Sequence, residues 1–136
     1  MIILVVEDES IIGLELEGRL QEAGHEVLGP ASTVDSALQL AEGKRPDLAL
    51  VDINLGDGGS GIELARKLLD GWGTPSLFLS GQTQEARENN DAALGRIGKP
   101  FSAAAVLESV EVAKQIAAGE PVSPMNVPPE LELFRH

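Results

Sequence analysis

Three carboxylates follow short apolar runs, and together they could bind a divalent cation. Glu7 and Asp8 follow residues 2–6, and Asp52 follows residues 48–51. Carboxylates that approach closely repel one another and raise one another's pKa, so such a group is tolerable when a cation lies among them. Carboxylate oxygens with room for water suit Mg²⁺, which prefers octahedral oxygen coordination. These residues therefore predict a Mg²⁺ site, provided that the two apolar runs are neighbouring strands.

A hydroxyl and an ammonium follow two later apolar runs and extend this chemistry. Ser80 follows residues 76–79, and Lys99 follows a short, weakly marked run. A metal ion and an ammonium neutralise charge on a transferring phosphoryl group, and an aspartate can attack phosphorus to form an aspartyl phosphate. Asp52 is the predicted nucleophile because it stands alone, opposite the other two acids. The backbone near Asn54 could supply a further oxygen to the metal.

Apolar runs that alternate with helical patterns predict the elements that hold these residues at one edge. Five runs have the length and composition of strands: residues 2–6, 25–29, 48–52, 76–79 and a short run around Ile97. Four apolar stripes have helical spacing: residues 12–23, 34–41, 62–69 and 103–116. We expect Pro30 to end the second strand. Strands that alternate with helices predict a parallel sheet covered on both faces, with ligands at the carboxyl ends of the strands.

Two segments have a weaker pattern. Residues 82–92 are polar and contain two asparagines, which compete with the helical backbone, so a short or irregular fourth helix is expected there. Residues 119–136 contain four prolines and no period, and they predict an extended or disordered tail after a domain at residues 1–118. Alternatively, residues 131–134 could dock in trans or back on the domain as an apolar anchor.

Composition narrows the function classes. The 136 residues include 22 acidic and 10 basic side chains, a formal net charge of −12. That balance argues against binding to nucleic acid or to an anionic membrane, because both require clustered Lys and Arg. The absence of cysteine excludes disulfides and thiol catalysis. Because neither a leader pattern nor an apolar run of membrane-spanning length is evident, we expect a cytoplasmic protein.

The order of these residues resembles the receiver domain of bacterial two-component response regulators, over about residues 1–118. The matching motifs are Glu7-Asp8, Asp52, Ser80 and Lys99-Pro100-Phe101. The resemblance implies a flavodoxin-like α/β fold: a doubly wound, five-stranded parallel sheet in the order 2-1-3-4-5 with helices on both faces.

The resemblance also assigns roles to residues. It implies that Asp52 accepts a phosphoryl group from a phosphohistidine of a sensor histidine kinase or histidine phosphotransfer protein. Lys99 would pair with the phosphoryl oxygens, and Ser80 would move to hydrogen-bond them. The implied Mg²⁺ ligands are Glu7, Asp8, Asp52 and the backbone carbonyl of Asn54.

This sequence departs from the family pattern in three places. Arg96 occupies the position of the usual aromatic switch residue, and it is either a solvated side chain or the partner of an acidic residue. The interval from Ser80 to Lys99 is a few residues shorter than is usual, and the glycine-rich loop at residues 56–61 is longer. Asn54 and Gln82, which stand where the family modulates dephosphorylation, are neutral amides.

We therefore expect a single-domain response regulator, not an enzyme, that switches its binding to a downstream protein, with a homodimer as a further option. One alternative is a pseudo-receiver, an interaction module that is never phosphorylated. Another is a Mg²⁺-dependent phosphatase of the haloacid dehalogenase type. That class needs a second aspartate where Asn54 stands, and a cap domain.

Overall fold

The computed structural model describes residues 1–55, 59–81 and 83–134. In this part of the chain strands and helices alternate, and a short 3₁₀ helix and a further strand follow. The elements are β1 (Ile2–Val6), α1 (Ser10–Glu22), β2 (Glu26–Ala31), α2 (Val34–Gly43), β3 (Leu48–Asp52), α3 (Gly61–Trp72), β4 (Ser76–Ser80), α4 (Thr83–Glu88), β5 (Gly95–Gly98), α5 (Ala103–Ala117), the 3₁₀ turn Pro124–Asn126 and β6 (Leu131–Leu133).

The strands form one sheet in the order β2-β1-β3-β4-β5-β6. The first five strands are parallel, and β6 pairs antiparallel with β5. The predicted order 2-1-3-4-5 is confirmed, and the sixth strand is an addition to it. Strand order reverses between β1 and β3, and ligands bind outside the carboxyl ends of strands at such a point.

Side chains of β1 alternate between two cores on opposite faces of the sheet. Ile3 packs in a cluster that includes Leu16 of α1 and Val110 of α5. Leu4, the next residue, packs in a separate cluster with residues of α2 and with Leu68 of α3. Because successive side chains of a strand point to opposite faces, a continuous apolar run indicates burial on both. This arrangement confirms the expected helices on both sides of the sheet.

The end of β2 differs from the prediction. We expected Pro30 to end this strand, but β2 continues through it to Ala31. The strand lies at the edge of the sheet, where a residue without an N–H is tolerated. The pairing shifts register between Leu4 and Val6, and Gly29 adopts a φ of 97° there. A Cβ at Gly29 would lie 2.7 Å from the carbonyl oxygen of Val5, so glycine permits this irregular edge.

The fourth helix and the C-terminal segment follow the weaker sequence patterns in part. Helix α4 has only six residues, as expected from its polar sequence. The segment after α5 is not disordered throughout, because residues 131–133 form β6 on the outer edge of β5. These three residues are extended and pair with the domain, whereas the tail as a whole stays a prediction. The domain boundary at residue 118 stays a prediction. Among helices in the described ranges, none has the length and apolar character needed to cross a membrane.

Candidate functional site

Strands β1 and β3 are neighbours and bring three carboxylates together. Val6 pairs with Val51 in the parallel register, so the residues that follow emerge at the same edge. One carboxylate oxygen from each of Glu7, Asp8 and Asp52 lies within 4.8 Å of the others. Glu7 and Asp52 are buried, whereas Asp8 is exposed. The predicted convergence of these side chains is therefore present.

The loop from β3 to α3 holds the Asp52 carboxylate in place. The Asn54 backbone N–H donates to Asp52 Oδ1 at 3.0 Å, and the Gly61 N–H donates to the Ile53 carbonyl oxygen at 2.9 Å. A Cβ at Gly61 would overlap the Asp52 carbonyl oxygen, so glycine is needed where α3 begins. Ser60 caps that helix by accepting a hydrogen bond from the Glu63 N–H.

Lys99 reaches this cluster from the end of β5. Its Nζ lies 3.1 Å from Asp52 Oδ2, 3.3 Å from Glu7 Oε2 and 3.8 Å from Glu9 Oε1. The Lys99 backbone N–H donates to the Ser80 carbonyl oxygen at 3.0 Å, which ties the end of β5 to the end of β4. The ammonium is thus directed at the predicted nucleophile.

Burial and mutual repulsion dominate the electrostatics of the cluster. Desolvation, the hydrogen bond to Asp52 and the charge of Asp52 raise the pKa of Glu7 from 4.5 to about 7. Burial lowers the pKa of Lys99, but its hydrogen bond to Asp52 and the charges of Glu7 and Asp52 outweigh that effect and raise it. The raised pKa of Glu7 therefore favours its protonated form more than in water, whereas the raised pKa of Lys99 favours its charged ammonium.

One buried oxygen supports the fit of a divalent cation. Glu7 Oε2 is buried and has no hydrogen bond within the described part of the chain, although Lys99 Nζ lies nearby. A buried carboxylate oxygen without a hydrogen bond is costly, and a metal ion would compensate it. The donor set contains only oxygens, which suits Mg²⁺ better than a softer metal.

Ser80 and Arg96 lie beside the cluster at the ends of β4 and β5. Ser80 is buried, and its carbonyl oxygen accepts a hydrogen bond from Arg96 Nη1 at 3.1 Å. Of the two sequence interpretations of Arg96, the structure supports pairing with an acid, because Arg96 Nε lies 3.1 Å from Glu132 Oε1. The hydrogen bond expected from Ser80 to a phosphoryl group stays a prediction.

Sequence reasoning missed two acidic residues near this edge. Glu9 contacts Lys99 from the loop after β1, and only its position next to Glu7 and Asp8 could have suggested this. Glu132 of β6 contacts Arg96 across the sheet edge, and no sequence pattern connects the two. The expectations for the loop at residues 56–58 and for Gln82 lie outside the described residues.

The fold and these side chains define a doubly wound α/β domain. An acidic pocket and a lysine lie at the edge where the strand order reverses between β1 and β3. The family of the response regulator receiver domain matches residues 3–111. The chain therefore belongs to the response regulator receiver family.

Named relatives and solved structures agree with this assignment. The chain is 38% identical over 107 residues to the phyllosphere-induced regulator PhyR of Methylorubrum extorquens, covering 76% of this chain and 40% of PhyR. It is 30% identical over 114 residues to the transcriptional regulatory protein PdtaR of Mycobacterium tuberculosis, covering 82% of this chain and 55% of PdtaR. The chain thus spans about half of these curated relatives or less. A CheY-like receiver domain protein from Methanospirillum hungatei JF-1 superimposes with a TM-score of 0.80 at 28% identity, covering 88% of this chain and 98% of that one.

Proposed function

We propose that this receiver is a phosphoacceptor in which Asp52 takes a phosphoryl group from the phosphohistidine of a sensor kinase or phosphotransfer protein. The observation that carries the proposal is the contact of Lys99 Nζ with Asp52 Oδ2 at 3.1 Å, inside a cluster of three carboxylates of which Glu7 and Asp52 are buried. This places a cation against the oxygen that would attack phosphorus. The named relatives are regulators, which supports a role in switching partner binding rather than in metabolism.

The proposed reaction is a transfer between nitrogen and oxygen. An Asp52 carboxylate oxygen attacks phosphorus, the new O–P bond forms, and the P–N bond to the imidazole breaks. The electron pair of the broken bond returns to the ring nitrogen of the donor. Lys99 offsets the negative charge that the phosphoryl group brings to the pocket, and the Ser80 hydroxyl would donate a hydrogen bond to it.

The proposed metal ligands are the residues of the acidic cluster. Glu7, Asp8 and Asp52 would hold Mg²⁺ together with the backbone carbonyl oxygen of Asn54. When bound, Mg²⁺ supplies positive charge that neutralises the phosphoryl oxygens. The buried Glu7 oxygen without a hydrogen bond and the closeness of the three carboxylates support this ligand set.

An apolar surface beside the cluster supports a protein as the phosphoryl donor. Ile11 and Leu14 of α1 are 82% and 61% exposed, and both lie just after the acidic loop. A pocket of about 340 Å³ between α1 and the segment after β5 is lined by Ile12, Phe101 and Lys99, among others. Exposed apolar patches of this kind mark protein contacts. Ile11→Ser and Leu14→Ser are expected to slow transfer from a phosphorylated histidine protein and to leave modification by acetyl phosphate unchanged.

The test is modification by a small phosphodonor. Wild type, Asp52→Asn and the surface control Asp70→Asn are incubated with acetyl phosphate and Mg²⁺, and their intact masses are measured. We expect one added phosphoryl group in the wild type and the control, and none in Asp52→Asn or in the presence of EDTA. An unmodified wild type that also binds no beryllofluoride would contradict the proposal and favour a receiver that works without phosphorylation. Turnover of a generic phosphate ester would favour a phosphatase.

A further inference from the structure

Strand β6 covers the outer edge of β5, next to the candidate site. Its register pairs Gly95 with Leu133, Arg96 with Glu132 and Ile97 with Leu131. Backbone hydrogen bonds extend the contact at both ends, from the Gly98 N–H to Glu130 O and from the Phe134 N–H to Leu94 O, each at 2.9 Å. Leu131 is buried in the core, and the Phe134 ring packs 6.4 Å from the Phe78 ring between centroids. The segment is therefore seated on the domain by backbone and side-chain contacts.

The sequence of β5 is adapted to this close approach. A Cβ at Gly95 would overlap the backbone carbonyl oxygen of Glu132. The absence of a side chain at Gly95 thus makes room for the backbone of β6. The contact is nevertheless short, because β6 contains only three residues, and short edge elements open at low free-energy cost.

Glu132 connects β6 to two arginines. Its Oε2 lies 2.7 Å from Arg87 Nε of α4, and its Oε1 lies 3.1 Å from Arg96 Nε of β5. The hydrogen bond from Arg87 lowers the pKa of Glu132, so this carboxylate is ionised at neutral pH. The Arg96 side chain is only 16% exposed, and screening by solvent is correspondingly weaker at this pair than at Arg87.

Arg96 in turn contacts the backbone of the candidate site. Its Nη1 donates to the Ser80 carbonyl oxygen at 3.1 Å, and the same oxygen accepts from the Lys99 N–H. Lys99 Nζ lies against Asp52. Consecutive contacts therefore run from Glu132 on β6 to the residue that the proposed function phosphorylates.

We propose that Glu132 is a positioning residue that holds Arg96 against the Ser80 carbonyl oxygen, so that the seating of β6 on β5 is coupled to the state of Asp52. This inference rests on the proposed function. A phosphoryl group on Asp52 adds charge and three acceptor oxygens, and Ser80 must move toward them to donate its hydroxyl. We expect that movement to draw the Ser80 carbonyl oxygen away from Arg96 Nη1. It therefore opposes the position in which Glu132 holds Arg96 while β6 is seated. Phosphorylation then favours release of β6, and release of β6 favours phosphorylation, because coupling between two sites is reciprocal.

The test measures both directions of this coupling with beryllofluoride and Mg²⁺ as the probe. Affinity is measured by fluorine NMR, and seating of β6 by hydrogen exchange at the Phe134 and Gly98 amides. We expect beryllofluoride to speed exchange at both amides in the wild type. Glu132→Gln should bind beryllofluoride at least about fivefold more tightly, whereas Glu130→Gln, which removes the same charge two residues earlier, should match the wild type.

A second pair of variants moves β6 without changing any charge. Gly95→Ala should displace β6 and tighten beryllofluoride binding as Glu132→Gln does. Its control, Gly71→Ala, adds a Cβ that meets nothing within 4 Å and should leave both readouts unchanged. Two results together would overturn the coupling alone. In the first, the wild type binds beryllofluoride but exchange at the two amides is unaltered. In the second, Glu132→Gln and Glu130→Gln bind beryllofluoride with equal affinity. Absence of binding in every protein would overturn the proposed function and the coupling with it.

Discussion

Glu7 is expected to destabilise the metal-free protein whenever its carboxylate is ionised. Its side chain is fully buried, and desolvation together with Asp52 raises its pKa from 4.5 to about 7. That rise corresponds to about 3 kcal/mol, at about 1.4 kcal/mol per pKa unit. Because the pKa is raised on folding, the protein is, as far as Glu7 is concerned, most stable below pH 4.5, where Glu7 is protonated in the folded and the unfolded state. It loses this free energy as the pH rises through 7.

Glu7→Gln keeps the shape of the side chain and removes the charge. At pH 8 in EDTA, we expect the variant to be about 1 to 3 kcal/mol more stable than the wild type, because relaxation and water entry around the charge reduce the full penalty. Below pH 4.5 Glu7 is mostly protonated in both the folded and the unfolded state, so the difference should nearly vanish there. In Mg²⁺ at pH 8 the order should reverse, because the ion stabilises only the folded state that binds it.

Urea unfolding, followed by far-UV circular dichroism, measures these free energies. The matched control is Glu9→Gln, whose side chain is 62% exposed in the same loop, and its effect should stay within about 0.5 kcal/mol. Equal stability of Glu7→Gln and wild type at pH 8 without metal would refute the reasoning, because an ionised carboxylate in this pocket would then cost nothing. A large effect of Glu9→Gln would show that net charge, rather than burial, is responsible.

Three further variants test the metal site, the lysine and the core. Asp8→Asn is expected to weaken Mg²⁺ binding at least about tenfold, as measured by calorimetry, because it removes a charged ligand; unchanged affinity would exclude Asp8 as a ligand. Lys99→Ala should slow modification by acetyl phosphate about 100-fold by removing the cation at the attacking oxygen, and an unaltered rate would contradict that role. Leu68→Ala should lower the free energy of unfolding by about 2 to 5 kcal/mol, because Leu68 is buried in the core. A similar loss in the control Leu69→Ala, at the exposed neighbouring position, would show that the cost comes from the helix and not from the core.

The elements of the sheet were predictable where one local pattern decides the structure. The apolar run at residues 2–6 indicates a strand covered on both faces, and β1 has that environment. The rule that ligands bind at the carboxyl ends of parallel strands then placed Glu7, Asp8 and Asp52 at one edge, where their oxygens lie together. Those inferences need only strand periodicity and the right-handed crossover between parallel strands.

The edges of the sheet were not predictable in this way. Residues 131–133 are too few for a period, and their pairing depends on the open edge of β5 and on Gly95, far away in sequence. The same limit applies to the contact between Arg96 and Glu132, which exists only because β6 returns to the sheet. At the opposite edge, Pro30 is tolerated within β2 because, among the described strands, β2 pairs on one side only, with β1. Long-range pairing, rather than local preference, decides these positions.

Identifying the phosphorylated residue tests the central claim most directly. The protein is incubated with acetyl phosphate and Mg²⁺, the product is reduced with borohydride, and its peptides are sequenced by mass spectrometry. Reduction converts an aspartyl phosphate to homoserine, so we expect homoserine at position 52 and aspartate at positions 8 and 57. Homoserine at another position, or aspartate retained at position 52 in a protein that has gained a phosphoryl group, would contradict the assignment of Asp52 as the phosphoacceptor.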